Sequence, residues 1–291
     1  MIEIADPDAM RAWSRAERKS GRTIALVPTM GFLHEGHLRL IDRVRKRVDR
    51  VVVSIFVNPI QFGPTEDLGG YPRDLERDRA AALARGTDSL FLPTAEVMYP
   101  DPAVVRVVPG SLADHLCGAY RPGHLEGVLT VVMKLFNIVE PDLASFGRKD
   151  AQQAVAIQRM VADLNLPIEI DVAPTVREHD GLAMSSRNAY LSAAERRVAP
   201  ALARGLDAAH EAFVGGERVV ERLVAAVRAP IGAEPVLQLE YVEVVDPVSL
   251  APVETAAAAS IVAVAARLGS ARLIDNIILG EGTGADPCVG Q

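Results

Sequence analysis

Through the first 175 residues, short unbroken apolar runs alternate with stretches whose apolar positions recur every three or four residues. The runs predict strands over 23–28, 50–57, 88–92, 104–108, 143–146 and 168–173. The periodic stretches predict helices over 7–19, 37–48, 72–85, 123–139 and 149–164. Val51-Val52-Val53-Ser54-Ile55-Phe56-Val57 is apolar on both faces, as a strand inside a parallel sheet requires. Such alternation predicts an α/β fold, a doubly wound, Rossmann-like parallel sheet with ligands beyond the carboxyl ends of its strands.

The pattern changes after Thr175. Ser192-Ala193-Ala194-Glu195 is a capping box, and it opens a long helical region running past Ala212. A second helix is expected at 217–228, then strands over 239–245, 260–265 and 272–279. The chain therefore divides, on this reading, into a Rossmann-like domain, 1–175, and a smaller C-terminal α+β lid domain, 176–291. Residues 280–291, rich in glycine and acids, are expected to be a disordered tail. No internal repeat is visible.

Composition narrows the function classes. A 49% hydrophobic and 24% charged chain is an ordinary globular one, and a net charge of −7 argues against a general nucleic-acid surface. Within the basic run Arg39, Arg43, Arg45, Lys46, Arg47 and Arg50, a helix would put Arg39, Arg43, Lys46 and Arg50 on one face opposite Leu40, Ile41 and Val44, which reads as the solvated side of an amphipathic helix. Two cysteines, Cys117 and Cys288, cannot build a disulfide framework or a zinc site. Neither a secretory leader nor a membrane span is predicted, so the expected compartment is the cytoplasm.

The chemistry concentrates in two stretches. Pro28-Thr29-Met30-Gly31-Phe32-Leu33-His34-Glu35-Gly36-His37 follows an apolar run and precedes an amphipathic one. His34 and His37 thus fall on a strand-to-helix turn, where unpaired N–H groups and the helix dipole suit a phosphate. Met184-Ser185-Ser186-Arg187-Asn188 supplies two hydroxyls and a guanidinium, donors suited to a polyphosphate tail. Either alone is an ordinary occurrence; together they suggest nucleotidyl transfer.

Further blocks carry a resemblance: Val53-Ser54-Ile55-Phe56-Val57-Asn58-Pro59-x-Gln61-Phe62, Tyr71-Pro72-Arg73, Phe146-Gly147-x-Lys149-Asp150-x-Gln152-Gln153, Asp180-Gly181-Leu182-Ala183 leading into Met184, and Arg272-Leu273-Ile274-Asp275-Asn276. With the histidine turn, they resemble the pantoate–β-alanine ligase family from near residue 1 to about 279. The H-x-G-H turn is shared more widely among nucleotidyltransferases and marks the superfamily, not the substrate.

The resemblance implies ATP-dependent joining of pantoate to β-alanine, with AMP and pyrophosphate released through a pantoyl adenylate. It implies His34, His37 and Lys149 as catalytic groups. Met30, Gly31, Phe32, Leu33, Glu35, Gly36, Gly147, Arg148, Asp150, Val176, Met184, Ser185, Ser186 and Arg187 would complete the ATP site. Gln61 and Gln153 would hold pantoate and β-alanine; neutral amides fix a carboxylate without blunting it as a nucleophile. Met30, Phe56, Val131 and Leu135 could wall the pantoate methyls, though core packing suits the last two better. Magnesium is expected to arrive with ATP, with Asp78 and Asp150 as acids that could touch it. A homodimer is also implied.

Three positions depart from the family pattern: Cys117, where Glu is usual, Arg148, also usually Glu, and Ala151, commonly aromatic. The thiol at 117 is expected to be buried and inert. Two alternatives stay open at this stage: another adenylyl-transferring enzyme of the superfamily, or a non-catalytic ATP-binding descendant.

Overall fold

The computed structural model describes residues 1–64, 66–101, 104–283 and 286–287. Its elements, in chain order, are β1 (Ile2–Ile4), α1 (Pro7–Lys19), β2 (Ile24–Thr29), α2 (Glu35–Arg45), β3 (Arg50–Ile55), α3 (Leu75–Ala84), β4 (Ser89–Phe91) and α4 (Ala95–Met98). Next come α5 (Leu116–Tyr120), α6 (His124–Val139), β5 (Leu143–Gly147), α7 (Ala151–Asp163), β6 (Glu169–Ala173) and β7 (Val176–Arg177). The chain continues through α8 (Ala193–Val198), α9 (Ala201–Val214), α10 (Val220–Gly232), β8 (Gln238–Val245), β9 (Ile261–Leu268), β10 (Ala271–Ile278) and β11 (Asp286–Pro287).

Six strands form one parallel sheet in the order β1-β4-β3-β2-β5-β6. The doubly wound expectation holds, and its all-apolar strands are where the core sits. Ala25, Val27, Val51, Val53 and Leu90 are fully buried and pack with Leu33, Leu40, Ile41 and Val44 around α2. From β2 the chain builds outward through β3 and β4, then returns to add β5 on the other side of β2. In sheets of this kind that reversal marks the ligand crevice, beyond the carboxyl end of the central strand.

The chain forms two compact units, and a single break near 175 does not describe them. Met1–Gly110, Arg121–Gly147 and Ala156–Ala173 make the first; Ser111–Tyr120, Arg148–Val155 and Pro174–Gln291 make the second. Gln152 explains part of the reassignment. Its buried amide donates to the carbonyls of Leu112 and His115 and accepts from Gly118 N–H, tying 111–120 to the start of α7. The second unit has the antiparallel sheet β10-β9-β8, covered by α9 and α10 around Leu202, Leu206, Leu223, Val227, Val262 and Val264.

Four expectations need correction. Residues 104–108 form no strand: Val104, Val105 and Val108 are 92%, 87% and 70% exposed, and Val107 N–H bonds the Thr130 hydroxyl instead of a neighbouring strand. The helix opened by Ser192 keeps its capping box but stops at Val198, because Pro200 has no N–H to continue it and instead begins α9. Gly280–Thr283 follow β10 as a turn and Asp286–Pro287 pair with Val176–Arg177, so these two parts of the expected disordered tail are structured. Residues 284–285 and 288–291, with Cys288, lie outside the described residues. Finally, Cys117 is half-buried, not buried.

The basic run is an ion-pair belt more than a free cationic surface. Arg39 meets Glu35, Arg43 meets Asp171, Arg45 meets Asp88, Arg47 meets Glu169 and Arg50, which opens β3, meets Glu17. No helix among the described residues is long and apolar enough to cross a membrane.

Candidate active site

The turn after β2 is held by a buried carboxylate. Asp78, on α3 and 2% exposed, accepts from Phe32 N–H and Leu33 N–H, one oxygen each, at 2.7 Å. Burial raises the Asp78 pKa, and the two backbone donors only partly offset it. The clamp holds Phe32 at φ 52°, a region costly for a side chain, after Gly31 at φ 83°. A Cβ on Gly31 would lie 2.9 Å from Ile55 Cγ2 and 3.0 Å from the Asp78 carboxylate, so only glycine fits. The Phe32 ring carries the Arg77 guanidinium at 5.0 Å.

His34 then takes the N-cap position of α2, with His37 one turn on. Their ring centroids lie 4.0 Å apart with the planes tilted by 33°, and the His34 backbone N–H donates to His37 Nδ1 at 3.4 Å. With Nδ1 accepting, a neutral His37 carries its proton on Nε2, making that nitrogen a donor. Leu33 is core, with its N–H on Asp78 and its carbonyl accepting from Arg77. The Glu35 carboxylate is engaged by Arg39 and Arg85. Met30 and Gly36 stand in the turn half-buried.

The Asn58-Pro59-x-Gln61 block forms a single helical turn after β3. The Gln61 side chain accepts from Asn58 Nδ2 at 3.0 Å and lies with Nε2 3.2 Å from Met30 Sδ. Asn58 also receives the Tyr99 hydroxyl at 2.9 Å and donates to the Gly127 carbonyl. Helix α6 approaches so closely here that a Cβ on Gly127 would sit 2.4 Å from the Ile60 carbonyl oxygen. Val131 and Leu135, on the same helix, are core residues, as their packing role required.

Beside Gln61 runs a chain of charge. The Arg121 guanidinium grips Glu66 through two bonds of 2.6 Å and reaches His124 Nε2 at 2.9 Å; His124 Nδ1 in turn meets the Gln61 carbonyl at 2.8 Å. Burial pushes the Glu66 carboxyl up, but the Arg121 hydrogen bonds and charge prevail and bring it from 4.5 to about 2. A carboxyl lowered by folding stabilises fully above its ordinary value and loses that contribution as pH falls toward about 2. The stability gap between the parent and Glu66→Gln, from denaturant unfolding, should therefore be constant above 4.5 and close between 4.5 and about 2. A gap that is flat across that window would contradict the pairing.

In the second unit, Arg148–Asp150 form one helical turn leading from β5 into α7. Lys149 is half-buried; the Arg148 guanidinium pairs with Glu281, and Asp150 is exposed. Gln153, a half-buried neighbour of Gln152 on α7, is not tied down in the way Gln152 is. Ser185 caps the turn Ser186–Tyr190 by accepting from Arg187 N–H, and Met184 N–H bonds the carbonyl of the buried Val176. Asn188 donates to Glu178 and to the Ala183 carbonyl, while Arg196 spans Glu178 and Asp180. Among the described residues no group of three His, Cys, Asp or Glu could hold a metal, and both Asp78 oxygens serve the backbone.

A doubly wound sheet with a braced, histidine-bearing turn at the end of its central strand defines a ligand-binding α/β protein with its crevice at the topological switch point. Comparison with known proteins narrows the class. The profile of the pantoate–β-alanine ligase family matches residues 3–278. A pantothenate synthetase from Geobacillus kaustophilus is 52% identical, covering 99% of each chain, and one from Heliobacterium modesticaldum is 55% identical over 93% of this chain and 96% of its own. The crystal structure of the pantothenate synthetase from Thermus thermophilus superposes with a TM-score of 0.91 at 45% identity, covering 96% of this chain and 99% of that one. A Francisella tularensis ligase, complexed with β,γ-ATP and β-alanine, gives 0.79 at 31% identity, covering 97% and 99%. The chain belongs to the pantoate–β-alanine ligase family and is an enzyme of that family.

Proposed function

We propose that this chain joins pantoate to β-alanine in two steps, using ATP. A pantoate carboxylate oxygen attacks the α-phosphorus, the bond to the β-phosphate breaks, and pyrophosphate leaves. The β-alanine amine then attacks the acyl carbon of the mixed anhydride, sheds a proton and releases AMP. The observation that carries this reading is the clamped turn, which presents two adjoining histidines at a helix N-terminus after the central strand. The Francisella tularensis complex supports ATP and β-alanine as ligands.

On this reading His34 and His37 donate to the phosphate as charge accumulates, and Lys149 is a fixed cation beside it. Ser185, Ser186 and Arg187 hold the departing phosphates. The backbone at Gly31, Gly36 and Gly147 makes room for the nucleotide, and Val176 with Met184 borders the adenine. Gln61 and Gln153 orient pantoate and β-alanine. Magnesium, carried on the phosphate oxygens, would neutralise part of their charge. The compartment is the cytoplasm.

The assay is AMP release, expected only when ATP, pantoate and β-alanine are all present. AMP transferred to a product, or release indifferent to pantoate, would overturn the assignment in favour of another adenylyl transferase. A homodimer completes the reading, supported by Val104, Val105 and Val108, apolar side chains that a second copy could cover. Sedimentation should give twice the chain mass; a sole 31.2 kDa species at micromolar concentration would contradict it.

A further inference from the structure

Asn276 lies on β10, 5% exposed, far from Lys149 in sequence. Its side-chain amide nitrogen donates to two successive carbonyls, those of Arg148 at 2.9 Å and Lys149 at 2.8 Å. The opposite orientation would set the Asn276 oxygen against both carbonyl oxygens, so these contacts fix which way the amide faces. Its Oδ1 is buried with no hydrogen-bond partner among the described residues. A buried, unpaired acceptor is costly, and an apolar side chain of similar size would avoid it. What the amide supplies in return is its pair of donors, and both end on the backbone that carries Lys149. The neighbouring Asn276 N–H closes on the Asp275 carboxylate at 2.8 Å, which anchors the residue from its other side.

We propose that Asn276 is the positioning residue of Lys149. Gripping the carbonyls on either side of the Lys149 nitrogen–Cα–carbon unit fixes the direction in which its side chain leaves the turn. The ammonium then keeps only its own side-chain freedom when it meets phosphate. This rests on the reading of Lys149 as a phosphate-binding cation.

The test is pantoate-dependent exchange of labelled pyrophosphate into ATP by the full chain, for Asn276→Ala, Asn276→Ser, Lys149→Ala and the Asn276→Ala/Lys149→Ala pair. Asn276→Ala should lower the exchange kcat by up to about 10²-fold, as displaced catalytic groups do, with the KM for ATP changed far less. Asn276→Ser, which keeps one donor, should fall between it and the parent, and it also serves if the alanine variant does not fold. In the Lys149→Ala background, loss of Asn276 should cost little more than about twofold, because the group it positions is gone. Equal proportional losses in both backgrounds would overturn the proposal, since a merely structural residue acts regardless of Lys149. So would full exchange by both Asn276 variants alongside a collapsed Lys149→Ala. Near-normal exchange by Lys149→Ala would instead remove the reading on which the proposal stands, and the proposal with it.

Discussion

His37→Ala is expected to turn over roughly 10²–10³-fold more slowly than the parent, the usual loss when one preorganised donor to developing charge is removed. The geometry makes this specific. His37 Nδ1 takes the His34 backbone N–H, so in the neutral ring the proton sits on Nε2, which is then the donor. Its interaction strengthens as charge gathers on the phosphate, so the loss should fall on kcat and spare the KM for ATP. The substitution removes no core packing, because His37 is half-buried and the turn is clamped independently through Phe32, Leu33 and Asp78. Steady-state kinetics with ATP varied at saturating pantoate and β-alanine separates the two constants. Turnover within a few-fold of the parent would remove His37 from the chemistry; an effect confined to KM would make it a ground-state ligand only.

The largest expected effect on stability lies elsewhere, in the second unit. Arg177 and Asp275 form a pair whose side chains are 4% and 3% exposed, joined at 2.6 and 3.0 Å. The guanidinium also donates to the Gly181 carbonyl at 3.0 Å, at the foot of the loop that leads to Ser185 and Ser186. Asp275→Ala would strand a buried cation, a change that costs about 3–5 kcal/mol. Removing both charges, as Arg177→Met with Asp275→Leu, should destabilise less than removing the carboxylate alone, because nothing charged is left without a partner. Denaturant unfolding of the three chains makes the comparison. An Asp275→Ala midpoint equal to the parent's, or a double variant less stable than the single one, would show that the pair does not carry this weight.

What the sequence revealed and what it withheld differ by range. Five of the six strands of the parallel sheet were legible, β2 and β3 most clearly because they are apolar on both faces, and the histidine turn because glycines, a strand and an amphipathic helix follow one another directly. The short edge strand β1 was not, having three residues and too little pattern. Residues 104–108 carry a strand's composition with no strand beside them to pair with, so β propensity alone misled. The supports of the site act across distance. Asp78 reaches back 45 positions to Leu33, and Asn276 reaches back 127 to Lys149; no local period encodes either contact. Asp78 was expected as a possible magnesium contact, yet its oxygens hold the backbone. Gln152 and Gln153 are adjacent and chemically identical, and only burial tells them apart: Gln152 is spent on stitching 111–120 to α7.

The central claim is a free-standing acyl adenylate made before β-alanine is needed. Its most direct measurement is isotope exchange: the enzyme is incubated with ATP, magnesium and labelled pyrophosphate, with and without pantoate, and with β-alanine omitted throughout. Label should enter ATP when pantoate is present and stay out when it is absent, because only the reversible first step can carry it back. Exchange that appears only once β-alanine is added would mean a concerted reaction of three substrates and contradict the account.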